Sequence, residues 1–318
     1  MSLLQSSNVA QANRQLVDTY NLFATAFQPV MEPLTTTVSG LKSPNYSHPF
    51  LDALALPMPL RGERVLSDVS LKDISGVCIP YGNGFEVSLI DMNNGIIGPY
   101  LSQMQELGRL TGTFKDKLIA DLLNNGQNTS YTIKDYTKSL TNYDGLATFS
   151  AAHTLDDGTV QSNYLSTGYA LGYQNLLTVF NKMTAFKNSA GQPLGIMPTT
   201  LVVPPALYGQ ALYLTSADLI SDEKGSQLTA TVSNIFKGRL QVICNIYLNS
   251  DTAWYLCGEK LGGGIKPFSY YEYMSPWVTA ITEPEAPSVF GRLAYQYGWT
   301  AICDAQFGPY QLVFKAVA

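Results

Sequence analysis

The stretch "RVLSDVSLKDISGVCIPYGNGFEVSLIDMNNGIIGPYLSQMQELGRLTGTFKDKLIADLL", residues 64–123, decides how this chain is read. Its first part, 64–92, alternates weakly between apolar and polar positions and is broken by Ser75-Gly76 and by Tyr81-Gly82-Asn83-Gly84. That pattern predicts two or three long strands joined by turns. The second part changes period. Ile97, Tyr100, Leu101, Met104, Leu107, Phe114, Leu118, Ile119 and Leu122 recur at helical spacing, with Pro99 near the first turn and "NNG" at the close. The spacing predicts one helix over 97–123, about 40 Å long at 1.5 Å per residue. A long amphipathic helix following an extended hairpin is an unusual order of elements.

Working outward, residues 8–27 carry Leu16, Tyr20, Phe23 and Phe27 at helical spacing, and a looser segment to about residue 50 reads as a linker or an arm. Downstream, 127–165 read as short strands and turns around "NYDG" and "LDDG", and 166–187 as a second long helix. "TTLVVPPALYGQALYLT" (199–215) predicts a buried strand, a Pro-Pro stop and a helix opening at Pro205. Residues 218–236 are polar and read as a loop. "GRLQVICNIYLNSDTAWYLCGE" (238–259) predicts two strands about an "NSD" turn, and the last fifty residues are rich in strand formers. No fixed-period repeat is evident, and the order of elements gives an α+β class.

Apolar residues make up 46% of the 318 residues and charged residues only 14%, against about a quarter in a typical globular chain. Ser, Thr, Asn, Gln and 20 tyrosines must therefore cover much of the surface. Two explanations fit: a surface taken up by contacts with other subunits, or a β-rich domain in which Tyr and Thr are good strand residues. Composition alone leaves both open. A net charge of −5 and the lack of any Lys or Arg run exclude a basic nucleic-acid patch. No apolar run approaches a membrane span, and the first residues lack the pattern of a secretory leader. Cys78, Cys244, Cys257 and Cys303 lie far apart with no CxxC pair, so they read as buried thiols.

"YDGLATFSAAHTLDDG" (143–158) has the residue types of a reaction centre: His153 between Asp144 and Asp156–Asp157, with Ser150 upstream. A catalytic dyad needs a positioned nucleophile, and no GxSxG elbow is present. A zinc or iron site needs more nitrogen or sulfur ligands than the one other histidine, His48, supplies. The calcium-loop spacing is absent too. The residues therefore read as a structural histidine in a turn, with a hydrolase using His153 and Asp144 as the distant alternative. "LGGGIKPF" (261–268) lacks the spacing of a phosphate loop and reads as a connector between domains. No catalytic, cofactor or metal residues are assigned.

Several stretches, in order, carry a family resemblance. "DALALPMPLRGERVLSDVSLKDISGVCIPYGNGFEVSLIDMNNGIIGPY" (52–100) resembles the segment of Mu-like phage major head subunits in which Pro-Met and Gly-Glu-Arg precede a strand pair. "NYDGLATFSAAHT" (142–154) with Ser162-Asn163, "TTLVVPPALYGQA" (199–211) and "AWYLCG" (253–258) resemble later stretches of the same family. At Leu60 the chain departs from the family's usual Trp. The resemblance implies the tailed-phage capsid fold: an N-terminal arm (1–49), an extended hairpin loop (50–95), a peripheral domain with a spine helix (96–165), an axial domain (166–265) and C-terminal strands returning to the peripheral domain (266–318). The implied role is a major capsid protein whose pentamers and hexamers enclose double-stranded DNA without sequence-specific binding, assembled in the host cytoplasm with a portal and a scaffolding protein, either separate or cleaved from outside these residues. The nearer alternative is the shell of a cellular nanocompartment. In such a subunit the 64–92 hairpin is expected to lie over a neighbour, with Arg61, Glu63, Arg64 and Lys72 as contact candidates. Asp222, Glu223 and Lys224 are expected around the capsomer axis. The resemblance assigns His153 no chemistry; it is expected to brace the turns beneath the spine helix.

Overall fold

The computed structural model describes residues 3–53, 70–156, 158–188, 191–224, 227–260, 264–283 and 286–318. The chain opens with helix α1 (Leu3–Ala26), then β1 (Thr35–Ser39), β2 (Asn45–Ala53), β3 (Ser70–Val77) and β4 (Ile79–Ser88). A short α2 (Leu89–Asn93) leads into α3 (Gly98–Gly112) and α4 (Phe114–Asn125). Short strands β5 (Ser130–Ile133), β6 (Tyr136–Ser139), β7 (His153–Thr154), β8 (Val160–Gln161) and β9 (Tyr164–Leu165) precede α5 (Tyr173–Thr184). Then come β10 (Ile196–Val203), α6 (Pro205–Ser216), β11 (Leu219–Lys224), β12 (Gln227–Ser233), β13 (Gln241–Cys244) and β14 (Ala253–Lys260). The long strands β15 (Phe268–Ile281) and β16 (Ala294–Phe307) flank α7 (Pro287–Arg292), and β17 (Val313–Val317) ends the chain.

Two sheets organise these elements. One has the order β1-β15-β16-β4, the other β13-β10-β14-β17-β9. In the five-stranded sheet the side-chain period of two separates two cores. Val202, Tyr255, Cys257 and Val313 face a core shared with α1, α3, α4 and the four-stranded sheet. Leu201, Val203, Trp254, Leu256 and Phe314 face α5 and α6 on the other side. A strand buried on both faces reads as a continuous apolar run, which is why "TLVV" was legible as one. Helix α6 opens at Pro205 as expected, its missing N–H falling among the donors that have no intrahelical partner.

The predicted single helix is broken. Its residues form α3 and α4, interrupted at Thr113 (φ −94°, ψ 4°). The cause lies in "TGT". The Thr111 and Thr113 hydroxyls donate to the Leu107 and Arg109 carbonyls one turn back (2.9 and 3.1 Å), a contact that bends helices. Gly112 between them is pressed against α1: a Cβ there would meet the Phe27 carbonyl oxygen at 2.5 Å, and one at Gly108 would meet that of Tyr20 at 2.7 Å. The pair Gly108 and Gly112 lets α1 approach α3 backbone to backbone, with Leu16 and Tyr20 buried. The residues expected as an arm thus lie partly on the body of their own chain, where β1 also pairs with β15.

Several other expectations are corrected. The hairpin is not 64–92: β3 pairs with β2, upstream of it, so the ladder runs from Asn45 to Val77. Strand β4 instead pairs along its length with β16. The second long helix is only α5, because the turn around Gly168 (φ +80°) and the extended Gly172 delay its start. Residues 218–236 are no loop but a β-hairpin, β11 against β12. Strands β13 and β14 do not pair with each other, since β10 lies between them. Among the C-terminal strands, β17 joins the five-stranded sheet rather than the one holding β15 and β16. Of the segment 261–268, residues 261–263 lie outside the described residues; Lys266 donates to the Thr35 carbonyl (3.2 Å).

Candidate subunit interface

The reaction-centre reading is tested by the surroundings of His153, which is fully buried. Its ring stacks on Tyr310, centroids 3.7 Å apart and planes 8° off parallel. Nδ1 lies 2.5 Å from Asp144 Oδ2, and Nε2 lies 3.2 Å from both the Thr148 carbonyl and Asn163 Oδ1. Asn163 Nδ2 donates to the carbonyls of Thr148, Tyr310 and Val313, which turns its Oδ1 toward the ring and toward the Ser150 N–H (3.0 Å). Both ring nitrogens thus face oxygen acceptors, and neither faces a nucleophile. Burial alone would raise the Asp144 carboxyl, but the hydrogen bond and charge of His153 outweigh it and hold it below the ordinary range. The Ser150 hydroxyl accepts from the Ala152 N–H instead of meeting His153. Among the described residues no group of three or more His, Cys, Asp or Glu is placed to hold a metal. The cluster clamps 144–163 to the C-terminal segment before β17. Next to it, the Phe149 N–H donates to the Gly126 carbonyl at the C-terminal end of α4.

A second buried polar cluster fixes the base of the hairpin. The Tyr46 hydroxyl on β2 donates to Asp304 Oδ2 (2.5 Å), and its ring stacks on Tyr271 at 3.7 Å. Gly76 on β3 leaves room for that ring, since a Cβ there would meet the Tyr46 hydroxyl oxygen. Lys138 Nζ, itself buried, pairs with Asp304 Oδ1 and donates to the Ala305 carbonyl. A cavity of about 400 Å³ lies alongside, lined by Tyr46, Gly76, Lys138, Asp304 and Gln306. No local pattern in the sequence marks this cluster, because Lys138 and Asp304 come from strands far apart in the chain.

Beyond that base, β2 and β3 pair only with each other among the described residues. Arg61, Glu63 and Arg64 lie outside the described residues. Lys72 is on β3, in register with Phe50. Asp222, Glu223 and Lys224 are brought together at the turn end of β11, in register with Ala230, Leu228 and Gln227, with a bulge between Asp222 and Glu223. Among the described residues β2–β3 and β11–β12 are each a separate two-stranded sheet, and each includes charged residues singled out from the sequence. Among the described residues, no helix is long and apolar enough to cross a membrane.

A family model described as phage capsid protein matches residues 79–307. The chain belongs to that family. As a phage capsid protein it is a virion component. A stretch of 78 residues is 36% identical to the major capsid protein of Escherichia phage Mu, and it spans 24% of this chain and 24% of that relative. The fold is similar to a subunit of the procapsid of bacteriophage JBD30 (TM-score 0.53, 18% identity, 98% of this chain and 75% of that one). A decorated JBD30 capsid gives a TM-score of 0.54 at 18% identity over 70% of this chain and 91% of that one. The virus-like particle from Pyrococcus furiosus gives 0.52 at 11% identity, covering 95% and 98%. These similarities show the tailed-phage capsid fold, an α+β arrangement.

Proposed function

We propose that this chain is the major capsid protein of a tailed phage, many copies of which close into pentamers and hexamers around packaged double-stranded DNA. The observation that carries the reading is the match to the phage capsid family, together with a fold shared over nearly the whole chain. A net charge of −5 suits a subunit that encloses DNA without gripping it. The chain is a structural protein, not an enzyme, and the engagement of both His153 ring nitrogens supports this. It acts with a scaffolding protein and a portal during assembly in the host cytoplasm. Residues 166–265 act as the axial domain, with Asp222, Glu223 and Lys224 of each copy meeting around the capsomer axis as mixed charges, which limits repulsion. The β2–β3 hairpin lies over a neighbouring subunit. A nanocompartment shell with the same fold is the second reading; nucleic acid or enzyme inside purified particles separates the two.

The test is assembly. Wild-type chain, expressed with its scaffolding protein, is expected to give closed particles by sedimentation and negative-stain imaging; subunits that never close refute the shell reading. Arg61→Ala and Arg64→Ala are expected to leave a folded but unassembled subunit, because a loss of about 1–3 kcal/mol per contact recurs in every copy. Intact particles from both variants would remove these arginines from the interface.

A further inference from the structure

The sequence holds three Asn-Gly pairs, at 83–84, 94–95 and 125–126. In such a pair the backbone nitrogen of the glycine can attack the asparagine side-chain amide, because glycine has no Cβ to crowd the approach. The rate then depends on where the fold holds that nitrogen relative to the carboxamide carbon. The three pairs differ in this. At Asn125 the side chain is tied back: Nδ2 donates to the Asp121 carbonyl (2.8 Å), and Gly126 is buried where a Cβ would meet Phe149 and Phe307. At Asn94 the nitrogen is tied back, since the Gly95 N–H donates to the Met92 carbonyl (3.2 Å) in the turn that closes α2.

At Asn83 the two groups face each other. The Gly84 N–H donates to Asn83 Oδ1 (2.8 Å), so the nitrogen lies against the carboxamide whose Cγ it would attack. Both residues are exposed, and among the described residues β4 is the edge of its sheet, which leaves the pair open to water. A similar contact joins the Tyr143 N–H to Asn142 Oδ1 (3.0 Å). There, however, Asn142 is buried, its Nδ2 donates to the Gly308 carbonyl (3.1 Å), and a tyrosine follows it in place of glycine. The glycine after Asn83 is fixed by packing: a Cβ at Gly84 would meet the Tyr297 carbonyl oxygen on β16 at 2.6 Å. The close approach of β4 to β16 thus demands the residue that makes Asn83 reactive.

We propose that Asn83 is a self-modification site, converted to aspartate and isoaspartate by the Gly84 nitrogen with water as the only co-reactant. Water or hydroxide takes the Gly84 amide proton, and the nitrogen's electron pair forms a bond to Cγ. The Cγ–Nδ2 bond breaks, and Nδ2 takes a proton back from water and leaves as ammonia, giving a five-membered succinimide. Water then opens the ring at one of its two carbonyls. Opening at Cγ gives aspartate; opening at the backbone carbonyl of residue 83 gives isoaspartate, whose main chain runs through Cβ and Cγ. Either product adds a negative charge to the strand that carries Glu86, and isoaspartate also lengthens β4 between the pairs Gly82–Thr300 and Gly84–Gly298. Peptide mapping by mass spectrometry of wild-type subunits held at pH 8, folded and in urea, tests this, with methyltransferase labelling for isoaspartate. In urea the three pairs are expected to convert at similar rates. In the folded subunit Asn83 is expected to keep its rate while Asn94 and Asn125 slow by about tenfold or more. Asn83→Ser is expected to abolish most of the ammonia released by the folded chain. Folded subunits in which Asn83 slows as much as the other two, or in which Asn94 or Asn125 converts ahead of it, overturn the proposal.

Discussion

Lys315 offers a prediction whose magnitude follows from its surroundings. It lies on β17 and is 5% exposed; Nζ donates to Gln127 Oε1 (2.9 Å) and sits 5.7 Å from the ring centroids of Phe149 and Tyr255. No carboxylate pairs with it among the described contacts. Burial pushes its pKa from the ordinary 10.5 down to about 8. For a lysine whose folded value lies below the unfolded one, the folded chain sheds its proton first. The charged form therefore weakens the fold fully below pH 8, and that deficit fades as pH climbs toward 10.5. The gap corresponds to about 3 kcal/mol at neutral pH, of which about 2 kcal/mol is regained by pH 9.5. Replacing Lys315 with Met keeps the stem's packing and removes the charge. Its loss of the Gln127 bond costs about 1 kcal/mol, so a net gain of about 1–2 kcal/mol is expected at pH 7. Urea denaturation of dissociated subunits at pH 7 and 9.5, wild type against Lys315→Met, reads this directly. Buried tyrosines titrate in both proteins and cancel in the difference. The advantage of the variant should shrink by about 2 kcal/mol across that range; a difference independent of pH would refute the reasoning.

Asp304→Asn strands the Lys138 ammonium in a buried site and is expected to cost about 3–5 kcal/mol. The double variant Lys138→Met/Asp304→Asn recovers much of this, and thermal melts of the three proteins check it. Gly108→Val drives a side chain into the Tyr20 carbonyl and Phe23, lifting α1 from α3; the expected loss is about 1–3 kcal/mol, with faster proteolysis of residues 3–26 as the marker. His153→Ala is expected to lower the melting temperature and change no reaction. Because the Asp144 carboxyl is held below its ordinary value, the stability it contributes is present above the unfolded carboxylate range and lost as pH falls through the folded value. The variant should therefore lose part of the wild type's acid sensitivity, measured as melting temperature between pH 3 and 6.

The sequence by itself determined the elements whose cause is local. The helical spacing of Leu16 and Tyr20, the apolar run of β10 and the proline that opens α6 each specify a conformation through neighbours a few residues away. So do the ordered stretches that resemble phage head subunits. The acid–base surroundings of His153 were also partly legible, since Asp144, Thr148 and Asn163 lie within ten positions of it. Which strand pairs with which was not legible, because every strand offers the same backbone donors and acceptors and the choice rests on packing between distant segments. Thus β4 looked like half of a hairpin, yet it pairs with β16 some two hundred residues on, and the hairpin's other half is β2. Polar 219–233 lacked the alternation of a strand, yet pairing with itself satisfies its backbone. The break at Thr113 depends on α1 lying against Gly112. Gly84 and Gly298, remote in sequence, stand opposite each other only because β4 pairs with β16. Spacing along the chain encodes the local conformation; only the tertiary structure decides which backbones meet.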